Sequence, residues 1–158
     1  MSAREEKAIE LFKTAGYGYN CSQSVLGVFC EENGLDMETA LKLASMFGGG
    51  ALKYKGMCGA FSGAVMVIGL KCGNYIKGDT ETKKFCQAKT HEFIEKFRAK
   101  NGSIMCFKLL GIDRDKELGP EDIKALRPLF DSICPEFVRT AVQILESMDF
   151  NRDTADCS

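Results

Sequence analysis

Tryptophan is absent from this chain, histidine occurs once and proline three times in 158 residues. With His91 alone, a His-rich metal site and a Cys–His–Asp hydrolase both have poor support, and His91 itself reads as an exposed helix residue among charged neighbours. Scarce proline beside plentiful Gly, Phe and Met suits packed helices better than a sandwich of short strands. No segment alternates apolar and polar residues with period two, and no repeat or low-complexity tract stands out. A long hydrophobic run is missing too. The longest, residues 57–70, is about 14 residues and is flanked by Lys55 and Lys71, whereas a membrane span needs about 20. A buried core helix is therefore expected. Neither sign of charge dominates: 21 basic side chains stand against 22 acidic ones, which leaves no basic field for nucleic acid. The start MSAREEKAIELF is charged and amphipathic, without the apolar middle of a signal peptide, and points to a cytoplasmic protein.

Cysteine, by contrast, is in excess: eight residues, at 21, 30, 58, 72, 86, 106, 134 and 157. The chain is long enough to bury roughly 70% of its unfolded surface, so it does not need staples to stay folded. In the cytoplasm ordinary thiols stay reduced, and such an excess turns attention to metal binding, a catalytic dithiol or redox sensing. The bland alternative is that about half of the cysteines are small buried hydrophobes. No CxxC occurs, which removes the simple zinc ribbon, the thioredoxin-type motif, c-type haem attachment and the usual ferredoxin spacings. Any joint cysteine site must be assembled by the fold.

The pattern predicts an all-α fold, a single-domain bundle of six to eight helices over residues 1–150 with a loose tail at 151–158. Residues 3–14 form an amphipathic helix with Ala8, Ile9, Leu11 and Phe12 on its apolar stripe and Glu5, Glu6, Lys7 and Lys13 on its wet side. Asn20 caps a second helix that Gly34 stops, and Asp36 starts a third that Gly48–Gly50 break. The fourth runs from about Met57 to Lys71. It is apolar on nearly all sides, and Gly59 and Gly63, four apart, open one face to close backbone approach. Thr80 or Thr82 caps a long fifth helix ending near Lys100. Ser103 caps a short one. A charged loop over 113–120 and a short turn near Glu121–Leu126 precede a last helix capped by Asp131 or Ser132, with Pro135 tolerable only in its first turn.

Position on helices separates the cysteines. Cys21, Cys58, Cys106 and Cys134 all fall at predicted helix starts, where free N–H groups and the helix dipole favour a thiolate. Cys30, Cys72 and Cys86 lack that help, and Cys157 lies in the tail. The Gly48–Gly50 run has neither the Gly-Lys-Ser/Thr of a P-loop nor the strand context of a dinucleotide fingerprint. It reads as a loop giving access to Cys58, with Lys53 and Lys55 as an ordinary solvated pair nearby. Glu31 with Glu32, and Glu121 with Asp122, read as solvated helix ends.

The stretch Cys58–Gly63, CGAFSG, resembles the signature of the C_GCAxxG_C_C family of redox-active proteins. YNCSQSVL around Cys21, the glycine run at 48–50 and CGAFSGAVMVIGL leading into the helix resemble it too, over roughly Tyr17 to Ala141. The resemblance implies that the family's four cysteines fall on Cys21, Cys58, Cys106 and Cys134, and it implies a redox role.

Three readings follow. The first is thiol/disulfide electron transfer, an oxidoreductase-like role that needs no cofactor. Cys58 is its foremost nucleophile, a second cysteine resolves the mixed disulfide, and a redox partner is left unnamed. The second is a metal-binding protein holding an iron–sulfur cluster or zinc on the same four cysteines. The third is a non-catalytic helical interaction module, such as a homodimer, whose cysteines are core.

Overall fold

The computed structural model describes residues 1–13, 18–51 and 54–152. Among these, the chain is a single all-α domain of eight helices with no strand. They are α1 (Ala3–Lys13), α2 (Cys21–Gly27), α3 (Met37–Ala44), the four-residue turn α4 (Gly48–Ala51), α5 (Gly59–Cys72), α6 (Thr80–Asn101), α7 (Cys106–Leu110) and α8 (Pro120–Ser147). A 3-10 turn at Glu31–Asn33 links α2 to α3.

The apolar run forms α5, which lies at the centre against α2, α4, α6 and α8. Nine of its fourteen residues are buried. Phe61 meets Phe93 and Phe97 of α6 with ring centroids 5.7 and 5.8 Å away, and both α6 rings are fully buried. Each phenylalanine removed from water contributes about 1.5–3 kcal/mol, so this aromatic cluster anchors α6 on α5. The glycine face of α5 packs on α2. A Cβ at position 63 would lie 2.6 Å from the carbonyl oxygen of Ser22, so Gly63 is what lets the two backbones touch.

Several local expectations hold. Asn20 caps α2 and Asp36 caps α3 through bonds from the N–H groups at the helix starts. Others need correction. Helix α2 ends at Gly27, seven residues before Gly34. Asp79, not a threonine, caps α6, with its carboxylate accepting from the Thr82 N–H at 2.9 Å. Glu5 is buried rather than wet; it accepts from Ser2 N and Gln143 Nε2, both at 3.0 Å.

The largest difference concerns the C-terminal third. Helix α8 is one continuous 28-residue element with Pro128 and Pro135 inside it, where a short turn and a separate last helix were expected. Pro120 stands in its first turn, where a missing N–H costs nothing. The two internal prolines each forfeit one helix bond, and burial of Pro135, Val138, Ala141 and Val142 holds the helix through them. Of the expected tail, Arg152 donates to Thr82 Oγ1 at 2.8 Å; residues 153–158, Cys157 included, lie outside the described residues. No helix among the described residues is long and apolar enough to cross a membrane.

Candidate functional site

Cys21 is the first residue of α2. Asn20 places it there: its side-chain oxygen accepts from the N–H groups of Ser22 and Gln23, both at 3.0 Å, and its amide donates to the Ser45 carbonyl at 2.8 Å. Gln23 closes the capping box by accepting from Asn20 N at 3.1 Å. The Cys21 sulfur then faces the start of α5. A Cβ at position 59 would sit 2.6 Å from it, so the signature glycine Gly59 is the space the thiol occupies.

Cys58 and Cys106 are placed by one backbone contact, on either side of it. Met57 and Met105 form an isolated antiparallel bridge, flanked by Cys58 N–H to the Ile104 carbonyl at 2.8 Å and Cys106 N–H to the Gly56 carbonyl at 2.9 Å. Both cysteines follow the bridged methionines directly, Cys58 as the cap of α5 and Cys106 as the first residue of α7. Glycine run α4 closes over them as a left-handed turn. Gly49, Gly50 and Ala51 have φ of 58°, 62° and 56°, a region open to glycine and strained for most other residues. A Cβ at position 50 would lie 2.9 Å from the Cys106 Cβ.

Cys134 arrives differently. It lies in the middle of α8, not at a helix start, so the dipole expectation is wrong for this residue. What brings it to the others is the face it shares with Arg127, Phe130, Asp131 and Phe137, spaced by three, four, seven and ten along one helix. Phe130 stacks on Tyr54, with centroids 4.7 Å apart.

All four cysteines line one cavity of about 530 Å³, with Tyr54 and Phe130 among its aromatic walls and Arg127 and Asp131 among its polar groups. The α8 residues and Tyr54 were missed by sequence reading. For the α8 residues the signal was the helical spacing, concealed by dividing that helix near Pro128. Lys55 is paired with Glu117 at 3.4 Å, and Lys53 lies outside the described residues. His91 is exposed on α6, as expected.

The electrostatics reverse the simple helix-start expectation. Burial pushes the Cys58 thiol up to about 12, and the neighbouring Cys21 adds to the rise. Burial also raises Cys21, against backbone N–H groups of Gly49, Cys21, Ala60 and Ser22 that favour its thiolate. Cys106 is raised by burial and by Cys58, Cys21 and Cys134, and Cys134 by burial, Cys21, Cys58 and Asp131. The donors expected at the helix starts are present at Cys21 and Cys58, but desolvation outweighs them. Burial favours the thiol form of all four, and each deprotonation makes the next harder.

All seven described cysteines are free thiols. Among the described residues, no three His, Cys, Asp or Glu side chains are placed to share one metal ion.

Fold and site thus define a helical cysteine-rich protein with four thiols around one cavity. The family described as "Putative redox-active protein (C_GCAxxG_C_C)" matches residues 19–148. The chain belongs to that family, and all four cavity cysteines lie within the matched span. Neither the curated proteins nor the solved structures gave a match.

Proposed function

We propose that Cys21, Cys58, Cys106 and Cys134 form one thiol/disulfide electron-transfer site. The observation that carries this reading is that four cysteines from four different elements line the same cavity. Family membership supplies the redox role; the residues and the chemistry are our reading.

Oxidation would proceed by exchange. The Cys58 sulfur, on losing its proton, attacks a partner disulfide and releases one partner thiolate. The sulfur of a second cavity cysteine, for which Cys21 is the first candidate because its charge acts on Cys58, attacks Cys58 and releases the second. Two thiols become one disulfide, two electrons pass to the partner, and the two protons end on the partner's thiols.

Ligation of zinc or an iron–sulfur cluster by the same four cysteines is the second reading. It is favoured by the backbone N–H groups directed at Cys21 and Cys58, since such donors stabilise ligated sulfur. The side chains as placed do not converge on one ion, which ranks this reading below the first.

Redox titration of the anaerobically prepared protein tests the choice. Exchange predicts a two-electron wave, assigned by peptide mapping to the cavity cysteines and lost in Cys58→Ala, with sub-stoichiometric metal and no visible absorbance. Persistence of the wave at the cavity peptides in Cys58→Ala overturns it. Stoichiometric metal, with or without cluster absorbance, would transfer the four cysteines to the second reading.

A further inference from the structure

A second pair of thiols stands apart from the cavity. Cys72 is the last residue of α5, and Cys86 lies in the second turn of α6. The loop over 73–79 turns the chain back so that α6 packs on α5, and Cys86 rests against the buried cluster that contains Cys72, close enough for its thiol to act on that of Cys72. They differ in access: Cys72 is 7% exposed, whereas Cys86 is half-buried. The Cys72 sulfur also rests 3.2 Å from the Ile68 carbonyl oxygen, which fixes its direction.

Two cations flank the pair. Lys89 lies over the Phe85 ring at 5.7 Å and Arg152 over the same ring at 5.5 Å, and Arg152 is held by Thr82 Oγ1. Both favour negative charge at Cys72, although burial and the adjoining Cys86 push that thiol up to about 12. The geometry is therefore asymmetric. One thiol belongs to a half-buried residue, the other to a buried one, and positive charge is at hand for a departing thiolate.

We propose that Cys72 and Cys86 are a separate dithiol site, oxidised to an intramolecular disulfide by low-molecular-weight disulfides of the glutathione class. Cys86 attacks the small disulfide, forming a mixed disulfide and expelling one small thiolate. Cys72 then attacks the Cys86 sulfur and expels the second. The protein loses two hydrogens, the reagent gains two electrons, and the two protons convert the expelled thiolates to thiols. The site uses none of the four cavity cysteines.

The test uses the full chain, reduced and then equilibrated with graded mixtures of glutathione and glutathione disulfide. Free thiols are blocked with N-ethylmaleimide, and the protein is digested and mapped by mass spectrometry. The expected result is a peptide pair joined through Cys72 and Cys86. In Cys72→Ser the resolving thiol is gone, so Cys86 should accumulate a glutathione adduct; in Cys86→Ser, Cys72 should stay reduced. Full alkylation of both residues at the most oxidising ratio would overturn the proposal. So would linkage of either to another cysteine, or Cys86 without an adduct in folded Cys72→Ser. The wild-type map needs no variant, and it reads these peptides separately from those of the cavity.

Discussion

Cys21 can reach the start of α5 only because position 59 carries no side chain. Gly59→Ala would place a methyl 2.6 Å from the Cys21 sulfur and 3.0 Å from the Phe47 carbonyl oxygen. Overpacking of this kind costs about 1–3 kcal/mol, and it should also displace the thiol. The measurable outcome is a lower denaturation midpoint together with faster alkylation of Cys21. Gly69 supplies the contrast, because nothing lies within 4 Å of a Cβ built there and it is exposed in the same helix. Gly69→Ala should raise stability by about 1 kcal/mol and leave every thiol unchanged. Residue chemistry also gives a pH signature. A couple that releases two protons with two electrons shifts its potential by about 59 mV per pH unit, twice the 29.6 mV per decade of a two-electron couple. An exposed dithiol flattens above about pH 8.5. With Cys58 raised to about 12 and its neighbours also raised, the slope should persist past that point. Flattening near pH 8.5 would show the thiols to be ordinary. The same shift bears on folding. Between the unfolded value near 9 and the folded value near 12, the unfolded chain has lost the Cys58 proton that the native chain keeps, so the stability from this group falls as pH rises through that window.

Among the elements, α2 shows how local chemistry serves the site. Asn20→Ala removes two accepted N–H bonds and the tie to Ser45, and cap loss costs about 1 kcal/mol. Hydrogen exchange at Ser22 and Gln23 should accelerate, with Cys21 more reactive; protection equal to wild type would separate the cap from the thiol's placement. These caps were legible because Asn20 and Asp36 are themselves capping residues placed just before apolar helical runs, and their partners Gln23 and Thr39 lie three positions on. Helix α8 was not. Pro135 looks like a first-turn residue, and only the burial that surrounds it explains why the helix continues. Dividing α8 between Leu126 and Asp131 put Cys134 at a helix start and hid the face it shares with Arg127, Phe130 and Phe137. Cys134 therefore entered the sequence reading on a local ground that the fold does not supply. Thiol acidity was illegible for the same reason, since burial depends on what other elements cover a residue.

For the whole molecule, α5 is the common support. It carries Gly59 against Cys21, takes Cys58 as its cap and holds α6 through Phe61. Strand-like pairing of two single residues brings Cys106 in, and α8 closes the remaining wall with Cys134. No pair among the four is close in sequence; the nearest are separated by 28 positions, 106 to 134. Their proximity therefore depends on the complete fold. The all-α class was readable from periodicity and helix stops, whereas the cavity required tertiary packing to appear.

The most direct measurement is a thiol map of the intact, metal-free protein across a dithiothreitol redox buffer series, with alkylation at each potential and mass spectrometry of every cysteine peptide. The account predicts that Cys58 and at least one of Cys21, Cys106 and Cys134 lose alkylation together, in a two-electron step, as a linked peptide pair. If all four remain fully alkylated at the most oxidising potential while the protein stays folded, these cysteines are not a thiol/disulfide site.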